Sequence, residues 1–242
     1  MFPFISVTLP SFSVLAFTGG LFAVLFVYFR RVKFGFSAIE FLSLIIFCFI
    51  GLVIGAKLLY IISRASWLTS NFTVSVLMRL VFRGGIVFYG GLFGLLFAVE
   101  IYAKIKRMDA SSIYRMIVPA IPLFHGFGRI GCFLGGCCFG RALEIPVEVG
   151  YIYLNRIPVQ LFESAFCFVL FAVLLIVEKK RSNCNTLRLY LVSYAIFRFL
   201  VEFLRADMVR GVYLLSTSQW ISLAIIAYYL FILIYGKTRQ KK

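Results

Sequence analysis

Charge is scarce in this chain and acidic charge scarcest: 14% of the 242 residues are charged, with nine Asp or Glu against 25 Lys or Arg, and there is one histidine. A soluble domain carries nearer a quarter charged residues, so this shortage excludes water as the main solvent. With 62% of residues hydrophobic and a mean hydropathy of +1.01, the surroundings are lipid. No stretch is left for a separate soluble domain. No repeat with a period of about 20 to 50 residues runs through the chain, and the only biased tract is the basic tail from Lys237 to Lys242. A disulfide scaffold of the secreted type is also excluded, because Cys48 and Cys167 fall in the middle of apolar runs, where they serve as small packing residues.

What is present is a series of apolar runs of roughly 20 residues, each able to cross about 30 Å of hydrocarbon. They predict helices near 12–29, 37–63, 84–103, 113–137, 158–177, 187–204 and 217–235. The fold class is therefore all-α, one integral membrane domain over 1–242 with about seven transmembrane helices. No Lys or Arg precedes the first run, and Arg30, Arg31 and Lys33 follow it, the reverse of a secretory signal. It is expected to be retained, with its N-terminus outside. Lys and Arg accumulate in cytoplasmic loops, and that orientation puts fifteen of them inside against seven outside, with Lys57, Arg129 and Arg198 within spans. The expected topology is N-out and C-in. Orientation and anionic headgroups account for the net charge of +16, so nucleic acid is not an expected partner.

Polar groups inside the spans carry the functional signal, since each costs several kcal/mol unless paired, hydrated or facing a cavity. The first cluster runs from His125 to Arg141 at the outer end of the fourth span, where His125 and Arg129 sit four apart on one helical face. A guanidinium at that depth is a natural phosphate clamp. Gly126, Gly128 and Gly131 match G-x-G-x-x-G, but the dinucleotide fingerprint needs a preceding strand in a βαβ unit, and here the context is a membrane helix. The second cluster is Tyr194, Arg198, Glu202 and Arg205, spaced to share one helical stripe. An internal Arg198–Glu202 pair locking two helices is one reading; the excess arginine favours an anionic ligand. The third is Gln160 and Glu163 at the start of the fifth span, where Glu163 needs a proton or a cation, with Arg129 and Arg198 as candidates. Two smaller signals are Lys57, which either snorkels outward or acts, and Tyr89 before Gly90 and Gly94, whose small size permits tight helix contact.

Taken together, these residues resemble the prolipoprotein diacylglyceryl transferase family. The resemblance runs through GAKLLY at 55–60, YGGLFG at 89–94, GRIGCFLGG at 128–136 with Gly140 and Arg141, PVQLFE at 158–163, and YAIFRFLVEFLR at 194–205. It implies a multi-pass enzyme of the bacterial plasma (inner) membrane that needs no metal or soluble cofactor. Such an enzyme binds phosphatidylglycerol and moves its diacylglyceryl group to the lipobox cysteine of a prolipoprotein signal peptide, releasing glycerol-1-phosphate. By position, Arg129 and Arg198 would hold the lipid phosphate, Glu202 would order Arg198, Tyr194 would line the cavity, and Gln160 and Glu163 would support the headgroup region. A paralogue serving another acceptor, or a non-enzymatic lipid transporter or scaffold, is the alternative.

Three positions depart from the family pattern. Tyr89 stands where the family has a histidine before Gly-Gly-Leu, Cys132 where it has Asn after Arg-x-Gly, and Cys137, followed by Cys138, where it usually has Glu. A phenol with a pKa of about 10 is a poor base at neutral pH. His125, with an ordinary pKa of about 6.5, is the obvious substitute for activating the acceptor thiol; hydrogen bonding to a carbonyl at a broken helix is its other reading. His125, Cys132, Cys137 and Cys138 are ligand types that zinc prefers, but the spacing is not C-x-x-C and adjacent cysteines fit a tetrahedral site awkwardly. No metal is expected from the spacing; packing, a redox pair or an acyl-carrying thiol remain open for these cysteines.

Overall fold

A computed structural model describes residues 4–6, 9–70, 72–85, 87–149, 152–181, 184–206, 211, 212 and 214–239. Arg210, counted above on the outside, and Lys241 and Lys242, counted inside, lie outside the described residues. The helices are α1 Ser11–Arg30, α2 Ala38–Ser63, α3 Ala65–Ser70, α4 Val74–Arg83, α5 Phe88–Lys106, α6 Ala110–Ile117, α7 Ala120–Leu134, α8 Val159–Lys180, α9 Thr186–Val201 and α10 Thr217–Arg239. Between them lie short antiparallel pairs: β1 Phe4–Ser6 with β2 Leu9–Pro10, β3 Ala142–Val149 with β4 Ile152–Arg156, and β5 Gly211–Val212 with β6 Leu215–Ser216.

Among the described residues six segments are long and apolar enough to cross a membrane: 11–34, 38–63, 88–106, 110–134, 159–180 and 217–234. The protein is a polytopic, all-α membrane protein. Several spans are apolar on every side, with Phe17, Phe29, Ile39, Phe49 and Phe97 exposed, as a helix surrounded by lipid requires. The expected fourth span is present as one segment, 110–134, interrupted between α6 and α7 at Val118 and Pro119, where proline has no N–H to give the helical ladder. The region expected as a sixth span is α9, whose sixteen residues reach about 24 Å at 1.5 Å per residue. A 3-10 turn, Glu202–Leu204, follows it.

The chain divides into two compact units, Met1–Val27 with Ile117–Lys242, and Tyr28–Met116. The second unit is organised by α2 against α5. Their contact is made of glycine on glycine: a Cβ on Gly55 would stand 2.3 Å from the Gly90 carbonyl oxygen, and one on Gly94 would stand 2.1 Å from that of Gly51. Only bare backbones come this close, the device by which membrane helices gain dispersion contact where burial from water offers no driving force. Ser37 opens α2 with a capping box, accepting from the Glu40 amide at 3.2 Å while Glu40 Oε2 accepts from the Ser37 amide at 2.9 Å. In the first unit α7 packs on α8, and α9 on both α8 and α10. Gly126 lets the Phe168 ring lie against α7, since a Cβ there would meet it at 2.9 Å. Ser164 Oγ donates to the Gly126 carbonyl at 2.9 Å, a second tie between the same two helices.

Candidate functional site

The polar clusters of the first unit converge. His125 and Arg129, one turn apart on α7, are joined by Arg129 Nε donating to His125 Nε2 at 3.1 Å. That nitrogen must therefore carry a lone pair, which puts the imidazole proton on Nδ1. The imidazole, 7% exposed, lies 5.5 Å from the Tyr194 ring on α9, measured between ring centroids. Arg129 also pairs with Glu163 of α8.

Glu163 is the hub. Its carboxylate, 1% exposed, meets Arg129, Arg198 Nη1 at 2.6 Å and Arg205 Nη1 at 3.2 Å. Glu202 meets Arg198 Nη2 at 2.6 Å and Arg205 Nε at 3.9 Å. Arg198 Nη2 also donates to Ser218 Oγ at 3.4 Å, at the start of α10. Glu163 thus has both cations that the sequence offered it, and the Arg198–Glu202 pair is one edge of a larger network. Among the described residues three guanidinium groups meet two carboxylates in a buried site. Taking so much charge out of water is tolerable because the groups are joined in a network, Arg129 to one carboxylate and Arg198 and Arg205 to two each, and guanidinium groups so fixed are donors suited to an anion.

Arg205 arrives differently from the helical stripe that its spacing suggested. The α-helix stops at Val201, and beyond the 3-10 turn the chain is held by pairing across to the segment after α7. Gly140 and Arg205 form an antiparallel bridge; Arg141 N–H donates to the Leu204 carbonyl at 2.9 Å and Ala206 N–H to that of Phe139 at 3.3 Å. The other side of this segment pairs with the entry to α8, through Gly140 N–H on the Ile157 carbonyl and Ile157 N–H on that of Arg141, both at 3.0 Å. A Cβ on Gly140 would come within 2.6 Å of Val159 Cγ2, so glycine is needed for the segment to lie flat there. These backbone pairs set Arg205 beside the other two arginines. In the sequence its spacing and the resemblance over 194–205 pointed to it, and the continuous helix that the spacing assumed ends before it.

Gln160 is fully buried and donates from Nε2 to the Cys137 carbonyl at 2.5 Å, so its described contact is with the turn after α7. In that turn the Sγ atoms of Cys132, Cys137 and Cys138 lie within 4.8 Å of one another. A hydrogen bond with Cys132 and the Arg205 and Arg129 charges, against the opposing effect of burial, hold the Cys138 thiol below its ordinary range. Ser164 and Ser218 also belong to the site and carried no signal in the sequence. Tyr89 and Lys57 belong to the second unit. Tyr89, 4% exposed, stacks on Phe93 with ring centroids 6.1 Å apart, and Lys57 Nζ donates to the Gly84 carbonyl at 2.7 Å. The assembled first-unit site can bind an anion, spread its charge over several fixed donors, and offer one imidazole as a proton acceptor.

Comparison with known proteins bears on which anion. The family model described as prolipoprotein diacylglyceryl transferase matches residues 1–235. A phosphatidylglycerol–prolipoprotein diacylglyceryl transferase of Clostridium tetani is 35% identical over 222 residues, 88% of this chain and 87% of the relative. A second protein of that name, numbered 2, from Clostridium perfringens is 36% identical over 184 residues, 72% of this chain and 70% of its own length. One from Idiomarina loihiensis is 32% identical over 196 residues, 77% of this chain and 73% of that protein.

Proposed function

This chain belongs to the prolipoprotein diacylglyceryl transferase family, and from that premise we propose that it transfers the diacylglyceryl group of phosphatidylglycerol to the lipobox cysteine of a prolipoprotein. The observation that carries the reading to this chain is the buried cluster of Arg129, Arg198 and Arg205 on Glu163 and Glu202.

The acceptor thiolate attacks the diacylglyceryl carbon bound to the phosphodiester oxygen. A carbon–sulfur bond forms, the carbon–oxygen bond breaks with its electron pair going to oxygen, and glycerol-1-phosphate leaves. The phosphate group goes from one negative charge to two, so cations fixed beside it favour the transition state over the bound lipid. Arg129 and Arg198 are the phosphate holders, with Glu202 and Glu163 fixing their geometry, Tyr194 against the imidazole, and Gln160 securing the turn from α8. His125 is the proton acceptor: when the phosphate draws Arg129 toward itself, Nε2 is released to take the thiol proton. Tyr89 is the further candidate for contact with the acceptor.

The finer topology is part of the same reading. α9 is the seventh span, short because its arginine face is turned to protein and not to lipid, and the chain sits N-out and C-in in a bacterial inner membrane, as its loop charges favour. The test is turnover by purified protein in vesicles of phosphatidylglycerol with a lipobox peptide, reading glycerol phosphate and peptide mass together. Equimolar release and a thioether-linked diacylglyceryl peptide are expected. Release with an unmodified peptide would move the acceptor elsewhere, and neither product would leave a lipid-binding protein without turnover.

A further inference from the structure

The turn after α7 gathers three thiols that the proposed transfer does not use. Gly136, with φ at +71°, ends the helix in a Schellman motif: its N–H donates to the Phe133 carbonyl at 3.2 Å and the Cys137 N–H to that of Cys132 at 3.1 Å. That motif sets residues five apart in sequence against each other at the helix end, which brings Cys137 onto Cys132; Cys137 Sγ also contacts the Cys132 carbonyl at 3.6 Å. Cys138 then adopts φ at +63°, a left-handed conformation uncommon for residues other than glycine, and the third sulfur joins the other two within 4.8 Å. Cys132 is buried, Cys138 half-buried and Cys137 exposed, so the cluster has an outer edge at the protein surface.

We propose that Cys132, Cys137 and Cys138 form a binding site for one thiophilic metal ion of the Zn²⁺, Cd²⁺ or Cu⁺ class. With metal–sulfur bonds of about 2.3 Å, three sulfurs around one ion stand about 4 Å apart, so the cluster closes on the ion with side-chain movements of about an ångström or less. A disulfide engages two of the three and requires a sulfur–sulfur distance of about 2.05 Å, a larger displacement that leaves the third thiol unused. Soft thiolates select d¹⁰ ions of this class over the hard cations that oxygen ligands take.

The surroundings suit the charge that results. Three thiolates on a divalent ion carry one net negative charge, and the Arg129 and Arg205 guanidinium groups, which both act on Cys138, offset it. Thiols still protonated release their protons to solvent as the ion enters. Gln160, fixed in α8 and donating to the Cys137 carbonyl, is the outer partner that holds the turn in the ligating arrangement. The irregular spacing that argued against a metal in the sequence is what a Schellman turn followed by a left-handed residue brings to one point.

The experiment is a cadmium titration of full-length, reduced, metal-stripped protein in detergent, followed by sulfur-to-metal charge-transfer absorbance, with alkylation and mass spectrometry on the same samples. One equivalent is expected to saturate the band and to protect Cys132, Cys137 and Cys138 from alkylation together. Cys137→Ser, on the exposed side of the turn, is expected to weaken binding at least about a hundredfold, beyond what loss of an outer partner costs, while Cys184→Ser leaves it unchanged. A band that survives Cys137→Ser, saturation only above one equivalent, or three thiols still open to alkylation under excess cadmium would overturn the assignment. The alkylation pattern of the unmutated protein decides the matter even if a variant fails to fold.

Discussion

Glu163 holds three arginines at once, and its removal leaves three buried guanidinium groups facing each other with one carboxylate between them. Breaking a buried ion pair on one side costs about 3–5 kcal/mol, so Glu163→Ala is expected to lower thermal stability in detergent sharply and Glu163→Gln somewhat less. An unchanged melting temperature for both would mean that the carboxylate is not the hub. Ser164→Ala, one position on, removes one buried hydrogen bond and is expected to cost about 1 kcal/mol with the site intact. At this scale much was legible. His125 with Arg129 follows from a spacing of four on one helix, and Glu163's need for a cation follows from a carboxylate in an apolar run. Gln160 drew notice only as a polar residue at the start of a span; its bond to the Cys137 carbonyl joins it to a partner 23 residues away that no local pattern encodes.

Among the elements, the least forgiving contacts are those where backbone meets backbone. Gly94→Val is expected to abolish accumulation of folded protein in membranes, because its Cβ would fall 2.1 Å from the Gly51 carbonyl oxygen with no flexible atom to yield; normal accumulation would show that α2 and α5 do not pack as described. Gly90 and Gly94 announced a tight contact in the sequence, but the partner pair Gly51 and Gly55 was recognisable only once the two helices were set together. The β3–β4 hairpin was missed for a matter of length. A window of about 19 residues, chosen to find spans, averages away strands of eight and five residues. The stripe on α9, read from spacing alone, runs on past Val201 to Arg205, where backbone pairing with Gly140 is what positions the side chain.

For the whole molecule, hydropathy decides the class and loop charge decides the expected orientation. A reporter fused after Lys242 that is fluorescent only in the cytoplasm is expected to light up, and one active only outside is expected to stay silent; the opposite pair of results would invert the topology. Tyr89 and the arginine cluster belong to separate compact units. The decisive comparison is the initial rate of diacylglyceryl transfer by Arg129→Ala and Arg198→Ala against the unmutated protein, in saturating phosphatidylglycerol vesicles with lipobox peptide and with folding verified by melting. Loss of one fixed donor to developing negative charge costs about 10²–10³ in rate, and each variant is expected to lose at least that much while remaining folded. Folded variants that retain rates within about tenfold of the unmutated protein, a loss of under about 1.4 kcal/mol of transition-state stabilisation, would contradict the placement of the lipid phosphate on these arginines.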